Sequence, residues 1–148
     1  MTRLTFFKPL SRLAVAACVT IVALSAVPAA AGPAQDQILA GLKGEAQAAP
    51  GWTGAFSAER GRALLLASPA TGKPDTPSCT TCHTDSPLKA GQTRTGKAIA
   101  PMALSVTPDR YTDPEKVEKW FGRNCNSVLG RPCTALEKGD FLTFMMGQ

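Results

Sequence analysis

The chain has 148 residues, enough for one domain and too few for two ordinary ones. Lys and Arg number 16 against 11 acidic residues, a net charge of +5, but Arg3, Lys8 and Arg12 all fall at the extreme N-terminus. Without them 13 basic residues face 11 acidic ones, an excess of +2; with no basic run, stacking motif or zinc-finger spacing, the composition argues against nucleic-acid binding.

Those three cations form a positive region ahead of an apolar run, Leu13 to Val27. Ala29-Ala30-Ala31 then supplies the small residues that a signal peptidase reads. The run is too short and wrongly flanked for a stable transmembrane helix. Val15-Ala16-Ala17-Cys18 faintly matches a lipoprotein signal, but apolar sequence continues past Cys18. We expect residues 1–31 to be a cleaved signal peptide and 32–148 to be one mature domain. That domain is then expected in the periplasm, soluble and not membrane-spanning.

The mature chain reads as four helices joined by irregular segments, with almost nothing that reads as a strand. The first is expected over Ala34 to about Ala48, where Ile38, Leu39 and Leu42 give an apolar face before Pro50-Gly51. The second starts from Ser57 as N-cap and runs to Leu66. Residues 71–78 and 84–112 read as loops, from their scattered Gly and Pro. The third helix has Asp113 as N-cap, Pro114 at its first position and Glu115 in its first turn, with Val117, Trp120 and Phe121 on one face. The fourth opens with a capping box, Thr134 to Glu137, and continues through Phe141, Leu142, Phe144 and Met145. Two long loops and few large aromatics leave a thin core, so something other than side chains is expected between the helices.

Cys79-Thr80-Thr81-Cys82-His83 is the C-x-x-C-H pattern of covalent haem attachment. Two thiols must add to the vinyl groups on one porphyrin edge while the next imidazole reaches iron from one face. A thioredoxin-like pair would need a strand before it and a helix after it. A zinc site would need more ligands, and His83 is the sole histidine. Cys18 leaves with the leader, so Cys125 and Cys133 remain, and in an exported protein such a pair usually forms a disulfide. His83 needs an acceptor for its second ring nitrogen. Pro101 resembles the proline whose carbonyl does this in class I cytochromes c, while Gly61 with Phe141 or Phe144 resembles the crossed terminal helices of that class.

The ligand opposite His83 decides the function. A second histidine is excluded. Met102, Met145 and Met146 are available thioethers, although Met102 follows the motif closely and the other two read as core. Asn124 is the other candidate, four residues after Trp120 and seven after Val117; a helix-terminal cap is its plainer role.

Three stretches carry a specific resemblance: Cys79 to His83, Gly96 to Met102, and Lys119 to Cys125 continuing through Leu129 to Thr134. Together they resemble the Sphaeroides haem protein family over nearly the whole mature chain, most specifically in an asparagine directly before a short cystine loop. The resemblance implies an all-α, class I-like cytochrome c fold with an extra N-terminal helix and one covalently bound haem c. It implies that Asn124 ligates ferric iron and leaves on reduction, so that O2, NO or CO can bind, with Cys125–Cys133 the disulfide and Pro101 and Trp120 beside the haem. As electron donor it implies a larger c-type cytochrome, such as a dihaem one, or a membrane b-type cytochrome. The related cytochrome c″ has histidine where this chain has Asn124. No acid–base group identifies an enzymatic reaction; a His/Met electron carrier and a gas sensor without turnover remain the alternative roles.

Overall fold

The computed structural model describes Met1 and residues 31–148; the expected leader lies outside the described residues except at its two ends. Five helices and one small hairpin follow in chain order: α1 (Pro33–Ala46), α2 (Ala58–Leu66), α3 (Thr80–His83), β1 (Gly91–Gln92), β2 (Ala98–Ile99), α4 (Pro114–Val128) and α5 (Ala135–Met146). Among the described residues no helix is long and apolar enough to cross a membrane.

The four longer helices begin where side chains can hold their free N–H groups. Ser57 accepts from the Arg60 amide at 3.2 Å, Asp113 from Lys116 at 3.1 Å, and Thr134 from Glu137 at 3.2 Å. Glu137 accepts in turn from the Thr134 amide at 2.8 Å, which completes the capping box. Helix α1 is started by Gln35, whose amide oxygen accepts from Gly32 N at 3.1 Å. Its amide nitrogen donates to the carbonyls of Pro108 and Arg110, so this buried polar side chain also fastens α1 to the segment before α4.

Helix α5 is the centre of the fold and packs on both α1 and α2. It crosses α2 at Gly61, where a Cβ would overlap the Asp140 carbonyl, so only glycine lets the two backbones approach. The crossing is locked by Asp140, 3% exposed, which accepts from Arg60 Nε at 2.6 Å, Arg60 Nη2 at 2.8 Å and the Ser57 amide at 2.7 Å. A planar guanidinium facing both carboxylate oxygens is the strong form of this bond. One apolar cluster joins Leu42, Leu104, Val117, Leu142 and Met146; a second joins Leu65, Met102, Phe144 and Met145.

The four expected helices are present, α1 ending two residues early. Three local features depart from the sequence reading. The haem-motif residues form a helical turn of their own, α3, and residues 91–99 close as an antiparallel hairpin with Gly91 opposite Ile99. The apolar residues of α4 do not share one covered face. Val117 is buried and Phe121 packs edge-on against Phe141 at 5.7 Å, whereas Trp120 is 48% exposed. At about 100° per residue, Trp120 falls roughly 60° to one side of Val117 and Phe121 about 40° to the other. Only the Phe121 side meets α5.

Candidate haem centre

Helix α3 is a single turn, and its formation is local. The buried Ser78 hydroxyl accepts from the amide and hydroxyl of Thr80, at 3.2 and 2.9 Å, and His83 N donates to Cys79 O at 3.0 Å. That spacing puts Cys79, Cys82 and His83 on neighbouring positions of one turn. Both thiols are free. Thr84 ends the turn at φ +62°, a strained conformation for a β-branched residue, and sends the chain away directly after His83. The hairpin then returns over the motif. A Cβ on Gly91 would overlap the Cys82 carbonyl, so β1 lies with its bare backbone against α3. An open cleft of about 400 Å³ runs between them, bordered by Thr81, Cys82, Gly91 and Gln92.

Burial lowers the pKa of His83, and the charge of Arg110 lowers it further. The imidazole is therefore held neutral, the form that binds a metal. Burial pushes the Cys79 thiol up, and Cys82 adds to the shift, so Cys79 stays protonated. The His83 ring has no hydrogen bond among the described residues. The Pro101 carbonyl accepts from Thr107 Oγ1 at 2.9 Å, which occupies one of its two lone pairs. Its neighbours are held the same way. Arg110 Nη2 donates to Ala100 O at 2.6 Å and the Tyr111 hydroxyl to Met102 O at 2.8 Å. Burial pushes the Tyr111 phenol up to about 12, with Arg110 pulling in the opposite direction.

On α4, Asn124 is exposed and its side chain makes no hydrogen bond among the described residues. The amide that bonds back into the helix is that of Asn126, whose Nδ2 donates to Gly122 O at 2.6 Å; the helix ends at Leu129. Asn124 therefore does not act as the cap. It shares an exposed edge with Trp120, whose ring is covered by the Arg123 guanidinium at 5.3 Å. Cys125, the next residue, is buried and bonded to Cys133, with Cα atoms 5.5 Å apart. The last turn of α4 is also fastened to the segment that leads into Cys79. Lys73 N and Thr76 Oγ1 both donate to Ser127 O, at 2.7 and 3.1 Å, and Thr71 Oγ1 donates to Leu129 O at 3.0 Å. A Cβ on Gly72 would overlap the Ser127 and Val128 carbonyls. Met102 and Met145 lie in the second apolar cluster, which Cys79 and Phe141 border, and Met146 lies in the first.

The sequence reading had not singled out Arg110, Tyr111, Gly72, Gly91 or the Thr76–Ser127 bond. Only the glycines carried a signal, as isolated turn residues within loops.

This donor set suits a haem. Two uncommitted thiols and a neutral imidazole stand on one turn, where thioether attachment and axial ligation would use them, and one buried cationic N–H, Arg110 Nε, has no hydrogen-bond partner among the described residues. Over 122 residues the chain is 57% identical to the cytochrome c-type protein SHP of Cereibacter sphaeroides, covering 80% of this chain and 92% of that one. The chain belongs to the Sphaeroides haem protein family. Like other members of this family it is a c-type cytochrome with one covalent haem c. A family profile described as a domain of unknown function (DUF1924) matches residues 52–145. The structure of oxidised SHP, described as an oxygen-binding cytochrome c, superposes with a TM-score of 0.70 at 57% identity, over 77% of this chain and 96% of that one. Oxidised cytochrome c″ of Methylophilus methylotrophus gives 0.64 at 29% identity, over 76% and 93%. A solution structure of the same cytochrome c″, concerned with haem-ligand detachment, gives 0.65 at 29% identity, over 77% and 93%. The Sphaeroides haem protein family thus shares with this chain the all-helical cytochrome fold.

Proposed function

We propose that this chain is a periplasmic electron-transfer cytochrome whose sixth ligand, Asn124, is detached on reduction to admit a diatomic gas. Cys79 and Cys82 are the attachment thiols and His83 the permanent axial ligand. When bound, the haem supplies a one-electron couple and, in the ferrous state, a coordination position for O2, NO or CO.

The observation that carries this reading is the state of Asn124. Its amide is uncommitted, stands on the exposed edge of α4 with Trp120, and lies between a buried cystine and a helix end bonded to the segment before Cys79. An amide oxygen is a hard, neutral donor that suits Fe(III) better than Fe(II), and it binds weakly enough to leave. Once free, its N–H2 is a donor for the incoming gas. Met102 and Met145 support the alternative of a His/Met carrier less well, because their side chains already pack with Leu65 and Phe144. Electrons would come from a larger c-type cytochrome, a dihaem one included, or from a membrane b-type cytochrome.

Absorption spectra of the ferric, dithionite-reduced and CO-treated holoprotein test this for the natural chain and Asn124→Ala. A ferric spectrum altered by Asn124→Ala, with a prompt CO shift in the natural protein, is the expected result. A methionine–iron charge-transfer band with no CO shift would replace the proposal with a simple carrier. Turnover of NO under O2 separates an enzyme from a sensor.

A further inference from the structure

Thr84 follows His83 directly and stands at φ 62° and ψ 175°. Only glycine enters that region freely, and a branched Cβ adds to the strain. At Gly51, Gly54, Gly96 and Gly130 the chain meets a positive φ with the residue that tolerates it, and at position 84 it does not. What threonine adds there is a hydroxyl. Thr84 Oγ1 donates to Ser86 O at 3.0 Å and accepts from Ser86 N at 3.3 Å, closing a tight turn immediately after His83. Both ends of this turn are held. Beyond it, the carbonyl of buried Pro87 accepts from Met102 N at 2.8 Å and Ala103 N at 2.9 Å. Before it, Gly91 lies against His83 itself, where a Cβ would come within 3.1 Å of the His83 Cα.

A strained residue persists only where its surroundings over-determine it, and such residues gather at functional sites. Thioether attachment at Cys79 and Cys82 makes no use of Thr84, so the strain serves something else. We propose that Thr84 is a positioning residue: the turn it closes keeps His83 on the iron while the opposite coordination position changes occupant. The inference rests on the gas-binding reading given above. That reading asks contrary things of the two sides, since Asn124 must leave and His83 must stay. A gas that bonds strongly to ferrous iron, NO above all, weakens the bond opposite to it. A ligand residue whose backbone is already fixed loses little freedom on binding, and so it resists that weakening. The two candidate ligands differ in this respect. The Asn124 side chain is uncommitted on an exposed helix edge, whereas the His83 backbone is clasped between Gly91 and the Thr84 turn.

The test is the absorption and electron paramagnetic resonance spectrum of reduced holoprotein under NO. These spectra separate six-coordinate haem, with His83 bound, from five-coordinate haem, with His83 released. The natural chain, Thr84→Gly and Thr84→Ser are compared, each shown by its pyridine haemochrome spectrum to carry both thioether bonds. Glycine accepts the backbone angle, so Thr84→Gly keeps the path of the chain and removes only the hydroxyl that fixes it. The natural complex is expected to be mainly six-coordinate. Thr84→Gly should raise the ratio of five- to six-coordinate haem about tenfold, the weight of freeing one residue's backbone. Thr84→Ser keeps the hydroxyl and should stay near the natural ratio. A natural ratio in Thr84→Gly would overturn the proposal, and faster amide exchange at Met102 and Ala103 in that variant would show the turn loosened without consequence for His83. A natural complex already five-coordinate would overturn it too, as would equal changes in both variants, which would report packing alone. If NO leaves the spectrum of the natural ferrous protein unchanged, the gas-binding reading itself fails and this inference falls with it.

Discussion

Thr76 donates its hydroxyl to the Ser127 carbonyl at 3.1 Å, and this bond joins the segment before Cys79 to the last turn of α4. Ser127 O accepts from Lys73 N as well, at 2.7 Å, and Gly72 lies flat against the same turn. The residues proposed to bind iron from opposite sides are therefore spaced by backbone as well as by the core. Thr76→Val removes one of two bonds to that carbonyl and should cost about 1 kcal/mol. Gly72→Ala forces the strands of chain apart and should cost more, about 1–3 kcal/mol. Urea unfolding of the holoproteins measures both, and a Gly72→Ala variant as stable as the natural chain would contradict the close approach.

Asp140→Asn tests the α2–α5 crossing. The carboxylate is 3% exposed and holds three donors, whereas the Arg60 side chain is 41% exposed and keeps part of its hydration. The loss should therefore be that of charge-assisted hydrogen bonds and not of a fully buried ion pair, about 1–3 kcal/mol. A double-mutant cycle with Arg60→Gln should show coupling between the two sites.

Alkaline stability should depend on Tyr111. Its phenol titrates near 12 in the folded protein against about 10 in an unfolded chain, so the unfolded state gives up its proton first. Stability from this residue is complete below about pH 10 and is lost as pH rises through 12, by roughly 2–3 kcal/mol in all. Comparing denaturant midpoints at pH 9 and 11 for the natural chain and Tyr111→Phe measures it. The variant, with no proton to lose, should show the smaller fall. Tyr111→Phe also frees the Met102 carbonyl, at a cost of about 1 kcal/mol at every pH.

Cleavage of the cystine should loosen the C-terminal end of α4. A short loop of this kind contributes roughly 2–3 kcal/mol. Cys125→Ser with Cys133→Ser should thus lower the thermal midpoint, and it should broaden or shift the ferric spectrum if Asn124 is held by this loop. An unchanged ferric spectrum in a folded variant would separate the cystine from the iron.

The parts of the fold set by local rules were legible in the chain. Ser57, Asp113 with Pro114, and Thr134 with Glu137 each mark a helix start through bonds that span three residues, and each helix begins there. The attachment motif is equally local. What escaped the reading depends on distant segments. Nothing near Gly91 announces that the Cys82 carbonyl will lie against it, and nothing near Arg110 announces an unpaired Nε. The face of α4 was misjudged for a related reason. Helical periodicity places Asn124 between Val117 and Trp120, but which flank of that stripe is covered depends on where α5 runs.

Asn124 holds nothing in place. Its side chain takes no part in a hydrogen bond among the described residues, while its neighbour Cys125 anchors the helix from within. Exchange of the residue at 124 therefore costs the scaffold little, and such a site is free to vary in evolution. One cystine-braced helix can present different side chains to the same position without a new fold having to be found. In this architecture reactivity and folding stability sit on adjacent residues, yet selection can act on each of them separately.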